Sequence, residues 1–158
     1  MDEQAKKTAL RMIPYGLYVL GTKQGDEVGA STINWLTQVS FKPPLLAMGV
    51  RSDGAAFRHL RANGDCALSI LGTGQKDMAF AFFKSTEHEG DTINGYSYET
   101  QATGAPILTD APAWVEARVT DIVERGDHAV IVAEVTGAGV RQETPVLTLA
   151  ECDVFYGG

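Results

Sequence analysis

Gly29-Ala30-Ser31-Thr32-Ile33-Asn34-Trp35-Leu36-Thr37-Gln38-Val39-Ser40, closed soon after by Pro43-Pro44, is the stretch on which the reading of this chain turns. It starts as the returning arm of a hairpin, Val28 to Asn34, and the two prolines, which have no backbone donor, interrupt it. Short hydroxyl and amide side chains gather where the strand ends: Ser31, Thr32, Asn34, Thr37, Gln38 and Ser40. A strand end of this kind, with exposed backbone N–H groups, can hydrogen-bond a planar heteroaromatic ring with polar edges. The same composition also suits a polar edge strand entering a turn, and on pattern alone both readings stand.

Working outward, the residues before this stretch supply the other arm of the hairpin. Leu17 to Thr22 reads as a strand and Lys23-Gln24-Gly25-Asp26 as the turn. Asp2 to Met12 has the spacing of a short amphipathic helix, with Ala5, Leu10 and Ile13 on one face, and Pro14 stops it. Beyond the prolines, Leu45 to Val50 and Cys66 to Leu71 are apolar runs of buried-strand length. Between them Phe57 to Ala62 is a short helix closed by Asn63-Gly64. Gln75 to Phe83 is a further short helix. Ser85 to Gly104, rich in Gly, Thr, Ser and Asn, is a long loop with one short strand at Tyr96 to Thr100, and loops of that length are often functional. Trp114 to Thr120 and Ala129 to Val135 form a second hairpin across Arg125-Gly126-Asp127, with Val115, Ala117 and Val119 on one face. Val146 to Leu149 and Asp153 to Tyr156 offer one or two final strands. The sum is a mostly β fold: an antiparallel barrel, closed or nearly so, with a few short helices. Closure removes the exposed edges that such a strand set would otherwise present.

The 158 residues fit a single domain, 1–158, large enough to bury a core without disulfides. Thirteen basic against twenty acidic residues give a net charge of −7, which argues against nucleic acid or an anionic membrane as partner. The two cysteines, Cys66 and Cys152, form no C-x-x-C and read as small core residues. No apolar stretch has the length of a signal peptide or membrane span, so a cytoplasmic protein is expected. His59, His88 and His128 are too far apart in sequence for a zinc motif, and no metal site is expected. There is no dinucleotide fingerprint, no P-loop and no nucleophile elbow.

Gly29 to Pro44 closely resembles the flavin-recognition segment of the flavin reductase-like, FMN-binding split β-barrel family. Tyr15-Gly16-Leu17-Tyr18-Val19-Leu20 resembles that family's first strand, above all in its rubredoxin-linked NAD(P)H oxidoreductase branch. Arg125-Gly126-Asp127-His128 resembles its G-D-H hairpin. The resemblance runs over nearly the whole chain. It implies a split barrel that holds FMN in preference to FAD, and hydride transfer from NAD(P)H to flavin N5.

By the same resemblance, Ser31, Thr32, Ile33 and Asn34 would lie along the flavin ring and ribityl chain, and Trp35 would either wall the pocket or sit in the core. Gln38, Val39 and Ser40 would face the pyrimidine edge, their backbone N–H groups near N5 and O4. Arg51, Ser52 and Gly54 fall in the phosphate segment. That segment departs from the family pattern, because hydroxyl or amide side chains are missing near Gly54 and Ala56. The backbone N–H at Gly54 and the helix start after it can still hold a phosphate, and Arg51 can add a charge-assisted contact. Phe83 and Lys84 match an aromatic-then-basic stretch at the flavin, with Lys84 near phosphate or ribityl. His128 matches a residue on the reductant side. No general acid is implied, since hydride transfer needs stacked rings more than a proton donor.

Two functional classes follow. One is an NAD(P)H-dependent flavin reductase, which could pass electrons to a redox protein. The other is an FMN carrier module reduced by a partner, or a related barrel holding another cofactor such as heme, deazaflavin or pyridoxal phosphate. The resemblance also implies a homodimer, for which Trp114, Phe155 and Tyr156 are available.

Overall fold

Two residues, Asn34 and Trp35, separate two strands that end up on opposite edges of the same sheet. The computed structural model describes all 158 residues. Its principal strands are β1 (Tyr18–Gln24), β2 (Glu27–Ile33), β3 (Leu36–Phe41), β4 (Pro44–Arg51), β5 (Asp65–Ile70), β10 (Ala113–Glu124) and β11 (His128–Val140). They form one antiparallel sheet in the order β2-β1-β5-β10-β11-β4-β3. Because β2 runs into β3 through so short a link, the sheet has to curl until its two edges meet. The edges do not pair with each other, which makes this a split barrel.

The short elements fill in around it. β6 (His88–Glu89), β7 (Thr92–Ile93), β8 (Tyr96–Thr100) and β9 (Pro106–Leu108) make a small second sheet where the sequence predicts a loop with one strand. This sheet docks through β9: the Leu108 N–H donates to Ser69 Oγ at 2.9 Å. It docks closely enough that a Cβ at Gly21 would stand 2.0 Å from the Pro106 carbonyl oxygen, so that position of β1 has to be glycine. α1 (Glu3–Arg11) is capped by Asp2, whose carboxylate accepts from Gln4 and Ala5 N–H. Despite its apolar stripe, α1 buries no residue. α2 (Ala55–Asn63) ends on Gly64 at φ +79°, the left-handed cap predicted from Asn63-Gly64. α3 (Lys76–Ala81) is shorter than its predicted span.

β1 is buried on both faces, so its run of Val19, Leu20, Gly21 and Thr22 does not alternate. Val19 and Leu20 point into two different cores. One core gathers Leu17, Leu71, Phe82, Ile93 and Leu147; the other gathers Met48, Phe57, Leu60, Leu68 and Ile131.

The C-terminal expectation is corrected. Residues 146–149 and 153–156 form no strands, only single bridges, Gly72 with Val146 and Gly16 with Thr148. β1 is already paired on both sides, with β2 and β5, so it offers no edge on which a further strand could grow. Leu147 and Leu149 are buried all the same, beyond the strand ends, and the chain then turns out through Cys152 into a tail.

Candidate functional site

A cavity of about 440 Å³ opens where the β2–β3 link, the start of α2 and the chain after α3 converge. Four parts of the fold build its walls.

The first wall is the end of β2. The ladder to β1 fixes Ser31, Thr32 and Ile33 opposite Leu20, Val19 and Tyr18. Thr32 is tied to the α3 region twice: its N–H donates to Phe82 O at 3.0 Å and its hydroxyl donates to Ala79 O at 2.6 Å. Asn34 follows, 7% exposed, and its Nδ2 finds no acceptor in the chain. An amide donor buried without a partner costs about 1–3 kcal/mol, so this one is available to a ligand acceptor rather than serving the fold. Trp35 leans on Gly49 of β4; a Cβ there would come within 2.8 Å of Trp35 Cε3.

The second wall is an anion site in form. Gly54, Ala55 and Ala56 line the cavity at the N-terminus of α2. No side chain caps this terminus, and its first turn carries no acidic residue. Its leading N–H groups and the positive end of the helix dipole therefore face the cavity uncompensated. Lys84, exposed and lining the same space, belongs to none of the seven ion pairs of the molecule. Arg51 differs. Its guanidinium grips Asp53 with both prongs, Nε to Oδ1 at 3.0 Å and Nη2 to Oδ2 at 2.7 Å. That hydrogen-bonded pairing holds the Asp53 carboxyl below the usual carboxylate range and raises the guanidinium. Asp53 thus engages two of the five N–H donors of Arg51, which also lines the cavity.

The third wall is Phe82 and Phe83, the former buried in the core beneath the cavity and the latter half-exposed at its rim.

The fourth is an aromatic group. His128, the first residue of β11, stacks edge-on against Trp35 at 4.7 Å. Its Nδ1 lies 2.9 Å from Asp127 Oδ1 and its Nε2 lies 2.9 Å from the Tyr156 hydroxyl. The carboxylate accepts from Nδ1–H, which fixes the ring and leaves Nε2 to share a hydrogen bond with the Tyr156 hydroxyl. The contact with His128, hydrogen bond first and charge second, holds the Asp127 carboxyl below its usual range.

Of the residues singled out in the sequence, Ser31, Thr32, Ile33, Asn34, Trp35, Arg51, Gly54, Phe83, Lys84 and His128 meet around this cavity. Gln38, Val39, Ser40 and Ser52 do not. The first three lie on β3, a separate edge strand with a bulge between Gln38 and Ser40, where Gln38 and Val39 are exposed. They stand outside the lining of the cavity. Ser52 donates its N–H to Asp127 O at 3.0 Å and buries its hydroxyl behind the wall. The sequence reading missed Tyr156 and Val154, which arrive from the C-terminal tail, and Leu149 just before it.

A second, more polar cavity of about 500 Å³ adjoins the first and shares Ser31, Ala55, Lys84 and Ser85 with it. His59 lies at its base, 1% exposed, with Nδ1 3.0 Å from Thr22 Oγ1 and Nε2 3.4 Å from Glu27.

Comparison with known proteins accords with this geometry. A family model described as "Flavin reductase like domain" matches residues 10–153. The chain is 30% identical over 137 residues to a probable flavin reductase of Rhizobium meliloti, covering 85% of this chain and 43% of that protein. It is 26% identical over 144 residues to the high molecular weight rubredoxin of Moorella thermoacetica, covering 90% of this chain and 63% of that protein. The chain thus spans less than two thirds of the length of either relative. Among solved structures it resembles, with a TM-score of 0.72 and 30% identity, a Streptomyces globisporus NADH:FAD oxidoreductase in complex with NAD and FAD fragments; the match covers 81% of this chain and 76% of that one.

Proposed function

The chain belongs to the flavin reductase-like domain family, and from that premise we propose that it binds FMN in the cavity between β2, α2 and His128 and works as an NAD(P)H-dependent flavin reductase. One observation carries the reading: the cavity is anion-binding at one end and aromatic at the other. The uncapped start of α2 and Lys84 suit the FMN phosphate. The Trp35–His128–Tyr156 group suits the flat ring system, and Asn34 supplies a buried amide donor between them. The residues present therefore fit the cofactor.

Bound FMN supplies the hydride acceptor. The protein's part is positional: Ser31 to Trp35 form a fixed shelf for the ring, and the aromatic wall limits water on the side where a nicotinamide would stack. A second arrangement of the same site has FMN act as a carrier module reduced by a partner protein. The same proposal places the chain in the cytoplasm, where thiols such as Cys66 and Cys152 stay reduced. It also makes the chain a homodimer. The exposed Val39 and Phe41 of edge strand β3 suit that contact better than Tyr156, which faces the cavity, or Trp114, which lies against Gly139 within the chain.

Titration of the purified protein with FMN, followed by sizing and by NADH and NADPH oxidation, tests the set. Saturable one-to-one binding in a dimer, with nicotinamide oxidation, is the expected result. Tight FMN without oxidation of either nicotinamide would move the chain to the carrier class. No FMN binding would refute the site.

A further inference from the structure

The cavity's aromatic wall is assembled from unequal parts. Trp35 and His128 are held by the main sheet; Tyr156 is not. It comes from residues 154–158, which have no regular secondary structure. After Val154 N–H, which donates to Leu149 O at 3.3 Å, no backbone–backbone hydrogen bond holds the segment. Val154 packs against the first core and Gly158 lies close to Lys7 of α1; between them the segment is held by side-chain contacts at two points. On the cavity side the Tyr156 hydroxyl meets His128 Nε2, and the Tyr156 ring lies 5.4 Å from Trp35. On the outer side Arg11 donates to Gly157 O at 3.2 Å and sets its guanidinium over the Phe155 ring at 5.0 Å. Arg11 belongs to α1, which buries no residue of its own, and Phe155 is 72% exposed. A segment fixed by a few exposed contacts opens at low free energy while the strands beneath stay closed.

We propose that residues 154–158 are a lid on the cavity, latched inside by the Tyr156–His128 hydrogen bond and outside by Arg11, and that its opening controls the exchange of the bound flavin. The inference rests on the flavin reading for its ligand but not for its geometry. With the lid open, the face of Trp35 now covered by Tyr156 is bare, and a planar ligand can leave; with it closed, the wall is complete. Such lids commonly set the rates at which ligands enter and leave.

The test has two readouts, the first needing no flavin. In a Trp114→Phe background Trp35 is the sole tryptophan. Acrylamide quenching of its emission should rise about twofold or more in a chain ending at Asp153, and less in Tyr156→Phe or Arg11→Ala. In stopped-flow fluorescence, FMN association and dissociation should both speed up about tenfold in the shortened chain, with intermediate effects in the two point variants. Unchanged Trp35 quenching in the shortened chain would overturn the lid. So would increased quenching with unaltered FMN exchange. Increased quenching in a protein that binds no FMN in any form would uphold the lid and refute the flavin reading instead.

Discussion

The two ends of the cavity are made by different means. The anion end rests on regular structure: a helix N-terminus, a strand end locked to β1 by its ladder, and Phe82 in the core beneath. The aromatic end depends on a strand, a two-residue link and a tail that meet only in the folded molecule. The difference teaches where each property of the site resides. On the proposed reading, the barrel would carry the affinity for the phosphate, and the tail would govern access to the ring.

The comparison can be broken first at its foundation. Phe82 is 1% exposed and supports both Thr32 and the floor of the cavity. Phe82→Ala should destabilise folding by about 3–5 kcal/mol, the cost of emptying an aromatic site in a packed core. Ending the chain at Asp153 should cost clearly less, since it removes one half-buried side chain, Val154, and otherwise mostly exposed residues. Denaturant melts of the two variants check this, and equal losses would erase the distinction between the ends.

A smaller effect sharpens the anion end itself. Lys84→Ala should weaken FMN binding by about 1–3 kcal/mol, the range for losing a charge-assisted contact. Arg51→Ala should change it less, because that guanidinium is shared with Asp53 in an exposed pair. Calorimetric or fluorescence titrations of both variants decide it. The reverse order would place the phosphate at Arg51 and away from Lys84.

How much of this was readable in the sequence follows the same division. The hairpins, the glycine stop of α2 and the split barrel were legible because they depend on local chemistry: turn residues, apolar runs, a glycine at φ +79°. Ser31 to Trp35 and Lys84 were legible through family resemblance, and the barrel brings them together. β3 was not legible as a strand of its own because its mixed polar and apolar residues follow β2 after only two residues, so it looked like the continuing rim of β2. Its residues Gln38 to Ser40 lie with it outside the cavity lining. The Arg51–Asp53 pairing was not legible, because it arises from the turn geometry that joins β4 to α2. Tyr156 carried no signal at all: its partner His128 is 28 residues away and its outer anchor, Arg11, belongs to the first helix.

The smallest effect probes the hinge between the two ends, Asp127 and His128. The Asp127 carboxyl is depressed by its hydrogen bond to His128 and by the imidazole's charge. A depressed carboxyl stabilises the fold above its unfolded value, about 4, and that contribution disappears as the pH falls through the lower folded value. The interaction is fully solvent-exposed on the aspartate side, so its effect is slight and screened by salt. Thermal melts of the native chain and of Asp127→Asn should therefore differ most in weakly acidic, low-salt buffer and converge as the pH falls well below the usual carboxylate range. A gap between the two that persists unchanged at that acidity would mean that Asp127 acts through the backbone of the β10–β11 turn, where its carbonyl accepts from Ser52, and not by holding the imidazole.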